Sequence, residues 1–172
     1  ELVKRVAAVN PNTIVALISN YPYAIGELEK NVPAILLSAS GSQELGHGIA
    51  DVLTGKAAAA GRLNMTWYRS DEDLPDMNDY DIIQGKRTYQ YFDREVLYPF
   101  GYGLSYTTFE KAVVVFANEP EKQQFTLHVT VSNVGLKKGK DVVQVYVEAP
   151  QGKLGKADKV LVGFAKTKEL AP

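Results

Sequence analysis

VPAILLSASGSQELGHGIADVLTGKAAAAGRLNMTW, from Val32 to Trp67, is the stretch that decides the fold class. Its opening run, PAILLSAS (Pro33 to Ser40), is continuous, apolar and of strand length, the kind of segment buried in a parallel sheet. Gly41 to Gly55 follows. From Gln43 onward Leu45, Ile49, Val52 and Leu53 recur at helical spacing, and Gly55 supplies a C-terminal stop. GRLNMTW (Gly61 to Trp67) then reads as a further strand. Upstream, Pro11-Asn12 introduces TIVALIS (Thr13 to Ser19), a β-branched run of the same buried type. Strand, helix, strand in this order predicts an α/β layer over residues 1–67.

The texture changes twice downstream. Residues 68–108 form a long irregular arm holding seven of the ten tyrosines and six closely spaced carboxylates: Asp71, Glu72, Asp73, Asp76, Asp79 and Asp81. A connection this long inside a compact chain is usually functional or packed as a structured element. Residues 109–172 turn to period two. AVVVF (Ala112 to Phe116), FTLHVTVSNVG (Phe125 to Gly135), DVVQVYVEAP (Asp141 to Pro150) and KVLVGFAK (Lys159 to Lys166) are strands separated by turn signals. In the second, Phe125, Leu127, Val129 and Val131 alternate with Thr126, His128 and Thr130, so one face is expected inside and the other in water. Such spacing predicts a fibronectin- or immunoglobulin-like β-sandwich. It is incomplete, because four strands stand where ~7 are needed.

Composition narrows the function classes. The 172 residues carry a net charge of −1, which offers no general attraction to nucleic acid or an anionic membrane. No apolar run approaches the ~20 residues of a membrane span, and the start lacks the design of a signal peptide. The absence of cysteine excludes disulfide and thiol chemistry, and with only His47 and His128 no zinc site is expected. Neither feature decides between cytosol and exterior. Residues 1–109 hold nine basic and thirteen acidic groups and the remainder ten and seven, imbalances too small to name a partner. The chain opens inside an amphipathic helix pattern with no capping residue before it. It ends just after a strand-like stretch. A piece of a longer protein is therefore expected.

Four stretches together resemble the C-terminal half of glycoside hydrolase family 3, which includes β-glucosidases and β-xylosidases. They are Val32 to Trp67, KRTYQYF (Lys86 to Phe92), YPFGYGLSYTTF (Tyr98 to Phe109) and NVGLKKGKDVVQVYVEAP (Asn133 to Pro150). They occur in the family's order and span nearly the whole chain. The resemblance implies a parent with a (β/α)8-like barrel, an α/β sandwich and a fibronectin type III-like domain. This chain would hold the later part of the second and the earlier part of the third. It also implies hydrolysis of a β-linked oligosaccharide or aryl glycoside with retention, by a carboxylate nucleophile and a second carboxyl acting as acid and base. In the family the nucleophile is an Asp on the barrel, and the acid/base Glu lies upstream of the segment matching Glu1 to Asn10. No catalytic residue is expected here, the isolated chain is expected to be inactive, and neither cofactor nor metal is called for. Two departures bear on the sugar: Ser38 to Gln43 lacks the family's aromatic ring, and Asn64 stands where a Pro is common.

Four residues are candidates for substrate contact. Gln43 and Glu44 sit at a strand-to-helix turn, where α/β sheets present ligand groups. The same turn also serves to start the helix, with Glu44 at the positive end of its dipole. Arg87 and Tyr89 could hold hydroxyls and stack on a pyranose. Alternatively they belong to an amphipathic tyrosine arm in which Tyr89 and Tyr91, two apart in extended chain, share a packing face. The acidic run lacks the ordered loop of an EF-hand and reads as a solvated loop. Gly101-Tyr102-Gly103 reads as a tight turn rather than a dinucleotide fingerprint. His47 reads as a structural helix residue, and Lys137, Lys138 and Lys140 as a hairpin turn with a solvated edge. The competing function is a stand-alone carbohydrate-binding or interaction module on the β-sandwich. A nucleotide-binding domain is disfavoured by the lack of a glycine-rich loop after either buried strand. An incomplete sandwich leaves unpaired edges and apolar surface, so self-association or marginal stability in isolation is expected.

Overall fold

The computed structural model describes all 172 residues. Helix α1 (Leu2–Val9) leads into β1 (Ile14–Ile18), a short α2 (Gly26–Glu29), β2 (Ala34–Ser38) and α3 (Leu45–Leu53). β1 and β2 pair in parallel, Ile14 against Ala34 through Ile18 against Ser38, but neither strand contains a buried residue, so the burial expected for these runs is not met by the two strands alone. α3 ends where Gly55 takes a positive φ of 75°, with its N–H on the Val52 carbonyl at 3.0 Å. This is the left-handed exit that glycine makes without strain.

The stretch Gly61 to Trp67 corrects the expectation of a third strand. It is extended, but its hydrogen bonds go to the arm instead of β2. Leu63 N–H donates to Tyr102 O at 2.8 Å, Gly101 N–H to Leu63 O at 2.7 Å, and Trp67 N–H to Tyr98 O at 2.9 Å. Only the isolated bridge between Trp67 and Tyr98 is regular. Periodicity identifies extended chain and is silent about which neighbour satisfies its backbone.

A second correction concerns Thr88–Tyr91, which forms one helical turn, α4, instead of extended arm. Tyr89 and Tyr91 are therefore not on one face, since two helical steps rotate the side chain well past a right angle.

Beyond the arm come β3 (Phe109–Glu119), β4 (Gln124–Asn133), β5 (Val142–Val147) and β6 (Val160–Lys166). All four predicted strands form. They make two antiparallel ribbons, β3 with β4 and β5 with β6, with β-bulges at Val113/Val115 and Val145/Tyr146. The lysine-bearing segment after Asn133 is thus not a hairpin turn. It is a crossing between two ribbons, fixed by a bridge from Gly139 to Leu170. Alternation in β4 holds from Leu127 to Ser132 and fails at the ribbon tip, where Phe125 is 43% exposed.

The interior is thin. Five residues are buried: Thr66, Trp67, Leu97, Gly139 and Asp141. Val113, Val114, Phe116 and Phe164 are each at least 63% exposed, so both ribbons present apolar side chains to solvent. No helix is long and apolar enough to cross a membrane.

Candidate functional site

Two loops leave the carboxyl ends of the parallel strands side by side. Ser19 N–H donates to Ser38 O at 2.9 Å, and Ser40 N–H donates to Asn20 Oδ1 at 2.9 Å, so the loops after β1 and β2 are tied together. Ligand groups gather at this end of an α/β sheet. Gln43 is exposed there, and its side chain makes no hydrogen bond within the chain. Glu44 occupies the position before α3, and its Oε2 lies 2.6 Å from Nδ1 of His47 one turn on. Both side chains are open to solvent. Leu45 closes against the Gly41 backbone, where an added Cβ would stand 3.2 Å from its Cδ1.

Arg87 and Tyr89 lie elsewhere, in the arm, and each is committed to protein partners. Arg87 Nη2 donates to the Asp76 carbonyl at 2.7 Å and also to that of Asp79, gathering the acidic loop. Its Nε is buried without a partner. The residues on either side, Lys86 and Thr88, have positive φ angles of 47° and 63°. For a β-branched residue such as Thr88 this is a strained conformation, held by its surroundings. Tyr89 stacks on Phe100 with centroids 4.2 Å apart, meets Tyr146 edge-on at 6.1 Å, and accepts the Leu161 N–H at 3.1 Å. The carboxylates of the acidic run are turned to local work. Asp76, Asp79 and Asp81 accept backbone N–H groups two residues ahead, and Asp73 pairs with Arg94 at 3.0 Å.

A cavity of about 980 Å³ opens between the parallel pair and the arm, and Tyr21, Glu29, Trp67, Tyr98 and Tyr102 are among its walls. Trp67 meets Tyr98 edge-on at 6.4 Å and Tyr98 stacks on Tyr102 at 5.1 Å. Burial, reinforced by the Glu29 carboxylate, pushes the Tyr98 phenol up to about 12. A second cavity of about 350 Å³ lies where α3 and the Ala57–Ala60 run meet Gly139 and Lys166. None of the four candidates lines either cavity.

The most densely bonded polar groups went unmarked in the sequence. Asp141 has only 2% of its side chain exposed, yet Arg62 Nη2 lies 2.6 Å from Oδ1 and Lys111 Nζ 2.6 Å from Oδ2. Its backbone exchanges hydrogen bonds with Thr167. Burial raises the Asp141 pKa, but Lys111, the Val142 amide and Arg62 outweigh it, and the carboxyl stays below its ordinary value. Asn133 is a second node. Its Oδ1 accepts from Thr107 Oγ1 at 2.7 Å and Gly135 N–H at 3.1 Å, and its Nδ2 donates to Lys137 O at 2.7 Å and Leu170 O at 3.0 Å. An Asp and an Asn at the ends of strands are common, and no local pattern distinguishes these two.

A parallel βα layer with an appended pair of β-ribbons defines a mixed chain in which the Arg62–Asp141 ion pair ties one part to the other. Comparison with known proteins places that class. Residues 1–106 match the glycosyl hydrolase family 3 C-terminal domain, and residues 141–172 match a fibronectin type III-like domain. The probable β-glucosidase I of Aspergillus terreus is 35% identical over 96% of this chain and 22% of its own length. The xylan 1,4-β-xylosidase of Xylanibacter ruminicola is 36% identical over 96% of this chain and 19% of its own. The crystal structure of the Kluyveromyces marxianus β-glucosidase in complex with glucose superposes with a TM-score of 0.87. It shares 36% identity, covering 99% of this chain and 22% of that one. The chain belongs to glycosyl hydrolase family 3, to its C-terminal region. It spans about a fifth of the length of the curated relatives it matches.

Proposed function

We propose that this chain serves as the non-catalytic C-terminal portion of a retaining β-glycosidase acting on β-glucosides or β-xylosides, where it shapes the substrate cleft and braces a catalytic barrel. The observation that carries this is the match, in order and over 99% of the chain, to a β-glucosidase crystallised with glucose. In this reading residues 1–67 are the later part of an α/β sandwich, 68–108 a connecting arm, and 109–172 an incomplete fibronectin type III-like sandwich. Gln43 and Glu44 offer an amide and a carboxylate to sugar hydroxyls, because both are exposed at the loop end of the parallel strands. Arg87 and Tyr89 act from behind, by holding the arm that walls the cleft. The exposed valines and phenylalanines of the ribbons are the surface through which the isolated chain self-associates.

The test is hydrolysis of nitrophenyl β-glucoside and β-xyloside by the chain alone and by a full-length protein containing it. Activity confined to the full-length protein is the expected result. Turnover by the purified chain would overturn the proposal and redirect the search for a complete site to this sequence. Tight binding of a neutral oligosaccharide by the chain alone would favour a stand-alone module instead.

A further inference from the structure

The fibronectin-like part meets the preceding chain at several places, Tyr89 with Leu161 and Arg62 with Asp141 among them, and one of these is the turn Tyr98 to Gly103. That turn carries Tyr98 and Tyr102, which stack on each other and of which Tyr98 meets Trp67 edge-on, and the Tyr98 backbone exchanges hydrogen bonds with that of Trp67. Asp141, just before β5, and Gln144 and Tyr146 within it bear on that turn, directly or through Arg62. Asp141 holds Arg62, whose guanidinium runs directly beneath Gly103: a Cβ there would lie 3.1 Å from Arg62 Nη1 and would overlap Gly61 O. Gln144 Nε2 donates to Gly101 O at 3.0 Å. Tyr146 O–H donates to Gln144 Oε1 at 2.5 Å and so fixes the amide. Gly101 has a φ of 82°, and a Cβ on it would overlap Gln144 Oε1.

We propose that Asp141 and Gln144 are positioning residues: the head of β5 templates the Tyr98–Gly103 turn and thereby sets the Trp67–Tyr98–Tyr102 aromatic wall. The fibronectin-like part is then a brace for one wall of a cavity, and more than a spacer. Arg62 is 15% exposed at its side chain, and its charge is balanced there by Asp141. A buried guanidinium without its carboxylate must move toward water. Arg62 cannot move without releasing the space under Gly103. Gln144 fixes the other end of the same turn, so removing either residue loosens the turn from a different side. Lys111 shares Asp141 with Arg62 but faces it from β3.

Trp67 is the only tryptophan and is 3% exposed, so its fluorescence reads the wall directly. The experiment measures acrylamide quenching and emission maximum of Trp67 in the whole chain, beside far-UV circular dichroism, for Asp141→Asn, Gln144→Ala and the ribbon control Val113→Thr. The first two are expected to raise quenching several-fold and shift emission to the red with the far-UV spectrum unchanged, while the control leaves Trp67 as it was. Unchanged quenching in both, or an equal rise in the control, would overturn the proposal. If Asp141→Asn loses its far-UV signal altogether, Gln144→Ala decides alone. It removes two neutral hydrogen bonds, to Gly101 O and from Tyr146 O–H, and leaves the ion pairs intact.

Discussion

Replacing Asn133 by Asp should do more damage than replacing it by Ala, although Asp is the isostere. Asn133 spends both halves of its amide. The carbonyl accepts from Thr107 and Gly135, and the NH2 donates to the carbonyls of Lys137 and Leu170. These partners come from the end of the arm, the crossing between ribbons and the C-terminal segment, so four chain positions are tied to one side chain. Asn133→Ala forfeits four hydrogen bonds, each with a net value of ~0.5–1.5 kcal/mol. Partial exposure lets water recover part of that, which gives an expected loss of about 2–3 kcal/mol. Asn133→Asp keeps the two acceptor bonds but turns the donor edge into an oxygen facing two carbonyl oxygens at hydrogen-bond distance. Two repulsive contacts and an unpaired carboxylate then replace two attractive ones, for a loss of about 3–4 kcal/mol. Against a typical domain stability of ~5–15 kcal/mol, either change is large. Urea unfolding followed by circular dichroism measures both. The order should reverse at a pH low enough to protonate the new carboxyl, because its O–H can then donate to one carbonyl. If Asn133→Asp stays within ~0.5 kcal/mol of the parent at neutral pH, the scatter expected for an uninvolved surface position, the assigned bonding of the amide is refuted.

Three further outcomes are expected. Gly101→Ala should cost about 2–3 kcal/mol, from the ~1–2 kcal/mol of a left-handed non-glycine residue and the displacement of Gln144. In a Gln144→Ala background the same substitution should cost only the backbone part, so a double-mutant cycle gives a coupling free energy clearly different from zero. Stability should fall on acidification through Asp141. Its folded pKa lies below the ordinary 3.8, so its contribution is complete above that value and is lost as pH falls through the folded pKa. An acid titration of Asp141→Asn should lack that component. Tyr89→Phe strips the Leu161 N–H of its acceptor and should lower stability by ~1–2 kcal/mol. In a full-length enzyme it should leave KM for a nitrophenyl glycoside unchanged, and a raised KM with unchanged stability would place the hydroxyl on the sugar instead.

Elements whose side-chain period matches their backbone were legible in the chain. α3 is readable from Leu45, Ile49, Val52 and Leu53 with Gly55 behind them. The four downstream strands are readable from period-two runs, and the Gly101 turn from its glycines. What escaped was partnership. Nothing in GRLNMTW says that Leu63 and Trp67 bond to the arm instead of β2. Nothing around Lys137 says that β4 and β5 belong to different ribbons. Both outcomes depend on residues distant in sequence, and a local pattern does not encode them. Of the candidate site, exposure at Gln43 and Glu44 agrees with a strand-to-helix turn. The roles of Arg87 and Tyr89 are set by carbonyls and rings far away, at Asp76, Phe100 and Leu161. Asp141 and Asn133 carry no motif at all.

The thin interior explains why such polar nodes matter here. With Trp67 and Leu97 the only buried large apolar side chains, apolar packing alone leaves the relative placement of ribbons and βα layer weakly determined. A hydrogen-bonded amide and an ion-pair triad built on a buried carboxylate add little net stability compared with apolar burial, because desolvation offsets most of their attraction. They are, however, directional, and a misplaced copy leaves charges and amide groups unsatisfied. Asp141 meets Arg62, Lys111 and Thr167 at once, three contacts from three separate segments. The chain therefore specifies the junction by polar constraint, while the valines and phenylalanines of the ribbons face outward, available for whatever apolar surface covers them in a longer protein. On that division of labour, substitutions at the nodes change how the parts sit against each other, and substitutions on the ribbon faces change what the chain associates with.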